Sequence, residues 1–167
     1  QPDVVLPRTH MLLRVDLADG PMIVDAGFGG LTATAALRLE PDTAQATPHE
    51  PFRLASIDAG FQLQAKAGEM WTPLYEFDLQ AQHDADFTMM NHFTATYPDS
   101  TFRQRLAAAR VTADGRIGLH NNSLSIHRTG AASERRVLES AGAIREALAG
   151  PFGIALPDDP GLDAVLE

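Results

Sequence analysis

Two side chains near the start of this sequence could do acid–base chemistry together, His10 and Asp25. An aspartate that accepts a bond from one imidazole nitrogen fixes the tautomer and frees the other nitrogen to take a proton. Such a pair makes up two-thirds of a nucleophile–base–orienter triad. Directly after Asp25 comes Ala26-Gly27-Phe28-Gly29-Gly30. Glycines on both sides of one ring let a ligand approach the backbone closely. Phe28, poorly walled by Gly27 and Gly29, is placed to meet a flat molecule. Thr9, beside the histidine, would turn its backbone to the same cleft. An alternative role for Phe28 is a core aromatic that closes the sheet.

Two strands must position these groups. Met11, Leu12, Leu13, Val15 and Leu17 precede Ala18-Asp19-Gly20-Pro21, and Met22, Ile23 and Val24 follow it. Asp-Gly between two apolar runs predicts a tight hairpin. With Asp19-Gly20 as a two-residue loop, Asp25 falls opposite Arg14. His10 and Arg14 share a face, so the parity permits a meeting. The offset does not, because four residues of strand span about 13 Å. A bulge, a strong twist or a looser turn must close that gap. Otherwise Asp25 is a capping residue and His10 an edge-strand histidine, and they never meet.

RTHMLL followed by VDAGFGG resembles the central segment of the arylamine N-acetyltransferases. The stretches ATPHEPFRL, PLYEFDL, MMNHFTATYPDSTF and FGIALP fit the same family, so the resemblance runs over nearly the whole chain. It implies a Cys-His-Asp triad that carries acetyl groups from acetyl-CoA to aromatic amines and hydrazines, with His10 and Asp25 in the family positions. It also implies that Phe28 lies in the acceptor pocket and that its loop, Gly27 and Gly29 included, approaches the acyl-CoA. Phe93 aligns with an aromatic that touches CoA in relatives; otherwise it is a helix-packing residue. The family nucleophile is a cysteine in an Arg-Gly-Gly-x-Cys segment of an N-terminal helical domain, upstream of the histidine. This sequence has no cysteine. The resemblance thus places the nucleophile on a segment outside this sequence, and predicts that this chain alone is inactive. Two other readings stay open: a non-catalytic module that binds CoA or aromatics, and an amide synthase of the same fold.

Composition narrows the field. The net charge of −9 argues against a nucleic-acid surface, which needs clustered Lys and Arg. No apolar run approaches a membrane span, and cytoplasm is the default location. Without cysteine there is neither a disulfide scaffold nor a thiolate metal site. The other histidines, His49, His83, His92, His120 and His127, show no metal-ligand spacing, so no metal is expected. His49 and His92 are expected at the surface.

The order of elements predicts an α+β chain: a small antiparallel β-barrel or curled sheet over residues 1–82, then an α/β lid over residues 83–167. The resemblance adds a cysteine-proteinase-like fold for the whole protein. FRLASI and FQLQAKA form a second hairpin about Asp58-Ala59-Gly60, and WTPLYEFDL alternates so that Trp71, Tyr75, Phe77 and Leu79 share a face. Pro73 marks that strand as an edge or a start. A short helix follows Asp86. A strand over residues 102–111 pairs at Asp114-Gly115, and Asn121-Asn122 turns into a third strand. Ser140 opens a helix with Ile144, Ala147 and Leu148 on one stripe. Residues 158–167 end in a short helix.

Overall fold

A computed structural model describes residues 7–159 and 161–166. It is a mixed α and β chain whose sheets are antiparallel. Two compact units divide it between Arg103 and Gln104. Residues 82 and 83, where the sequence pattern set a boundary, both lie inside the first unit.

The first unit holds β1 (Leu13–Leu17), β2 (Gly20–Val24) and β3 (Leu37–Arg38) in one sheet, and β4 (Phe52–Ile57), β5 (Gly60–Ala67) and β6 (Met70–Phe77) in another. The expected barrel or curled sheet is therefore two three-stranded sheets. Pro41, Pro48 and Pro51 between β3 and β4 have no N–H to give to a ladder. Gln45 bridges the break. Its side-chain amide pairs with the backbone of Arg38 (2.7 and 2.8 Å), and its own backbone pairs with Phe52 (2.8 and 2.9 Å). One core unites the sheets, with Ile23 and Leu37 from the first and Phe52, Leu54, Leu63 and Ala65 from the second. α1 (Asp84–Thr96) follows, and the Asp86 carboxylate accepts from the backbone N–H of His83 at its start. α2 (Thr101–Gln104) is a single turn.

β6 carries an irregularity that re-aims its side chains. Leu63 pairs with Tyr75 but Gln64 pairs with Pro73, so Leu74 is an extra residue. A bulge of this kind flips the alternation beyond it. Trp71 therefore does not share a face with Tyr75 and Phe77, contrary to the sequence pattern. It lies under the Arg53 guanidinium, 4.5 Å from the ring centre, while Tyr75 and Phe77 pack on the core. Pro73 explains the break, because it cannot donate to the ladder.

The second unit holds β7 (Ala107–Thr112), β8 (Gly115–His120), β9 (Ser123–Arg128) and β10 (Glu134–Val137), in the order β10-β9-β8-β7. The expected three-stranded meander thus gains a fourth strand. The strand expected from Phe102 begins only at Ala107, since the residues before it turn into α2. Gly115 faces His127 so closely that a Cβ there would lie 1.8 Å from its carbonyl oxygen. Only glycine fits. α3 (Ala141–Ala149) starts where Ser140 Oγ accepts from the N–H of Ala143 at 3.2 Å. Ile144, Ala147 and Leu148 are buried with Leu119, Leu124, Leu138 and Phe152. α4 (Leu162–Leu166) closes the described chain. Among the described residues no helix is long and apolar enough to cross a membrane.

Candidate active site

The β1–β2 turn decides whether His10 and Asp25 can meet. Leu17 pairs with Gly20 and Leu13 with Val24, so the loop residues are Ala18 and Asp19. A turn centred on Asp19-Gly20 would need positive φ at both residues. Asp19 does not adopt it; Gly20 alone does, at +120°, as the first residue of β2. Continued outward, this register sets Leu12 opposite Asp25. The offset of His10 shrinks from four residues to two, about 7 Å along the strand, which a long side chain spans diagonally. The gap is closed by a shifted turn.

The two side chains meet. His10 Nε2 lies 2.9 Å from Asp25 Oδ2. A carboxylate only accepts, so Nε2 carries the proton and Nδ1 holds the lone pair. Asp25 takes two further bonds, from the Gly27 N–H on Oδ1 at 3.0 Å and from the Tyr75 hydroxyl on Oδ2 at 2.6 Å. Its side chain is 2% exposed and that of His10 29%. A buried charge needs such partners, since desolvation is repaid only by several good donors. The His10 ring is therefore held from behind by a satisfied carboxylate while part of it stays open.

Three rings pack together here. The centroids of His10 and Phe28 are 5.7 Å apart, those of His10 and Tyr75 5.1 Å, and those of Phe28 and Tyr75 4.8 Å. Burial, then the bond to Asp25, pushes the Tyr75 hydroxyl well above the ordinary phenol range, so it remains a donor at any working pH. Tyr75 was not singled out from the sequence. Regular alternation set it beside Trp71, and Pro73, the residue that betrays the bulge, reads equally well as a strand start.

The other predicted residues fall as follows. Gly27 contributes its N–H to Asp25. Gly29 has φ +112°, and Thr32 Oγ1 closes the loop on it, accepting from its N–H at 2.8 Å and donating to its carbonyl at 2.9 Å. Thr9 is exposed beside His10. Phe93, on α1, stacks on Tyr97 at 4.7 Å; the rings around His10 are Phe28 and Tyr75. His49, expected at the surface, is half-buried, and its Nδ1 is 3.2 Å from Thr34 Oγ1. His92 is exposed. Among the described residues no group of His, Cys, Asp and Glu is arranged to hold a metal.

An oriented imidazole beside a glycine loop can take a proton from a nucleophile brought to it. Comparison with known proteins gives the class: residues 1–160 match the family described as N-acetyltransferase. The arylamine N-acetyltransferase of Mycobacterium tuberculosis is 40% identical over 160 residues, covering 94% of this chain and 56% of that protein. That of Escherichia coli K12 is 36% identical over 158 residues, again 94% and 56%. Among solved structures, the M. tuberculosis enzyme superposes with a TM-score of 0.93 at 39% identity, covering 99% of this chain and 64% of that one. The Mycobacterium marinum enzyme in complex with CoA does so at 0.92 and 40%, covering 99% and 63%. The chain belongs to the arylamine N-acetyltransferase family. It spans a little over half the length of the curated relatives it matches.

Proposed function

We propose that the whole protein transfers an acetyl group from acetyl-CoA to the nitrogen of an aromatic amine or hydrazine, through an acetyl-cysteine. The observation that carries this reading is the bond from His10 Nε2–H to the buried Asp25, which leaves the Nδ1 lone pair on a partly exposed ring. The cysteine would come from a segment outside this sequence, within a cysteine-proteinase-like whole. His10, Asp25 and Tyr75 would serve it from the first unit.

His10 Nδ1 takes the thiol proton, and the imidazolium rests against Asp25. A thiolate beside an imidazolium is far more nucleophilic than a free thiol. It attacks the acetyl carbonyl, the bond to the CoA sulfur breaks, and His10 returns its proton to that sulfur. The amine nitrogen then attacks the acetyl-cysteine. His10 takes a proton from the nitrogen and gives it to the departing cysteine sulfur. CoA and amine use the same cleft in turn. Phe28 offers a ring face to the flat acceptor, and Thr9, Gly27, Gly29 and Phe93 are assigned to acyl-CoA. The reading fits a cytoplasmic enzyme of xenobiotic metabolism.

The test is release of free CoA by the full-length protein on addition of an arylamine. His10→Gln should lower kcat/KM by about two to four orders of magnitude, the usual contribution of a positioned base. An unaffected variant would remove His10 from the mechanism. Binding of CoA without turnover would leave a non-catalytic module.

A further inference from the structure

His10 lies outside the strand ladder. β1 begins at Leu13, and residues 7–12 are in no strand. Leu12 is anchored on the core side, but the other flank of the histidine needs its own tether. Arg8 supplies one. Its guanidinium makes a two-pronged bond to Asp78, Nη2 to Oδ2 at 2.6 Å and Nη1 to Oδ1 at 3.3 Å. Asp78 directly follows β6, three residues after Tyr75. It is itself fixed, because Oδ1 also accepts from the N–H of Gln80 at 2.9 Å. Thus Tyr75 in β6 and Asp78 just after it hold the two halves of the pair, Tyr75 through the carboxylate of Asp25 and Asp78 through the residue two before His10.

We propose that Arg8 and Asp78 are positioning residues that hold the His10 imidazole in register with Asp25 and Phe28, a role that rests on the acetyl-transfer reading above. The bond from Arg8, then that from the Gln80 N–H, keeps the Asp78 carboxyl below the ordinary carboxylate range, so the clamp is charged at neutral pH. An exposed ion pair adds little to global stability. Its effect is local, because a catalytic group displaced by a fraction of an ångström loses rate out of proportion to the binding energy involved. The planar fork also explains arginine rather than lysine, which is a point charge and fixes no orientation.

The experiment uses the full-length protein with acetyl-CoA and an arylamine. Arg8→Ala and Asp78→Asn should each lower kcat about tenfold, with the KM for the amine and the melting temperature nearly unchanged. Arg8→Lys should recover only part of the loss. The double swap Arg8→Asp with Asp78→Arg should recover more than either single change. Nitrogen NMR of the imidazole should show His10 held as the Nε2–H tautomer in the wild type and a mixture of tautomers in Arg8→Ala. Wild-type kcat in both single variants would overturn the proposal. So would a loss that tracks the melting temperature and is not recovered by the swap. If the wild type acetylates no amine, the acetyl-transfer reading fails, and the tautomer measurement still decides the clamp.

Discussion

Two histidines in the first unit bond to a partner fifteen residues away in the chain, and the two partners differ in charge. His10 bonds Asp25, and His49 bonds Thr34. At His49 the chain of hydroxyls has a fixed direction. Thr47 Oγ1 donates to the carbonyl of Glu50 at 2.7 Å, and Thr34 Oγ1 donates to Thr47 Oγ1 at 3.0 Å. The single Thr34 proton is thereby committed, so Nδ1 of His49 must donate to it. That chain of hydroxyls ends on a neutral carbonyl and ties Thr34 to residues 47–50. The chain at His10 ends on a buried carboxylate. A cation that forms on His10 meets a negative charge 2.9 Å away. Equal spacing therefore sets one imidazole against a buried carboxylate and the other against a hydroxyl.

The sharpest way to break this contrast is to remove the charge at Asp25 while keeping its shape. In Asp25→Asn the amide oxygen, kept at the Oδ1 place, still accepts from the Gly27 N–H, which sets the NH2 group at the Oδ2 place beside His10 Nε2 and the Tyr75 hydroxyl. Nε2 must then accept, and the proton moves to Nδ1, where it blocks base catalysis. The expected loss is about two to four orders of magnitude in kcat/KM, measured by CoA release. A loss below about threefold would mean that the terminal acceptor is irrelevant.

Tyr75→Phe should come next. It removes a donor to a buried carboxylate, and the expected destabilisation is about 1.5–3 kcal/mol, read by urea unfolding. The pH dependence has a definite sign. The native Tyr75 hydroxyl titrates above its unfolded value. Its contribution is therefore complete below about pH 10 and is lost as pH rises beyond it. The stability gap between wild type and Tyr75→Phe should close in alkali.

The His49 cluster should respond least. Thr34→Val breaks the middle of the hydroxyl chain and should cost about 1 kcal/mol of stability, with less than about a threefold change in kcat/KM. A larger catalytic effect would raise His49 to the rank of His10. At Asp78 the sign is opposite to that of Tyr75, since the native carboxyl lies below its unfolded value. The difference in stability between wild type and Arg8→Ala, small because the pair is exposed, should be present above about pH 4 and vanish as pH falls below it.

Much of this site was legible before any coordinates. His10, Asp25 and the glycine loop are close in sequence, and hairpin parity alone put both side chains on one face. The fifteen-residue hairpin could not give the offset. That depends on whether Asp19-Gly20 centres the turn or Gly20 ends it, and both use the same dipeptide. Ser140 as a cap and the buried stripe of α3 were also readable, because helix ends and faces are set within a few residues. The four-stranded sheet was only partly readable, since ERRV in β10 has no apolar alternation and pairs because β9 lies beside it.

Sequence by itself determined the types of group available, their parity, and the likeness to a family of acetyl-transfer enzymes. Only the tertiary structure decided that Tyr75, fifty residues from Asp25, becomes its third donor. The physical reason lies in one proline. Without an N–H, Pro73 breaks the β5–β6 ladder, Leu74 enters as an extra residue, and the next side chain turns from the polar face of the sheet to the core. A period of two cannot foresee its own interruption, and the partner waiting on the other side belongs to a different sheet.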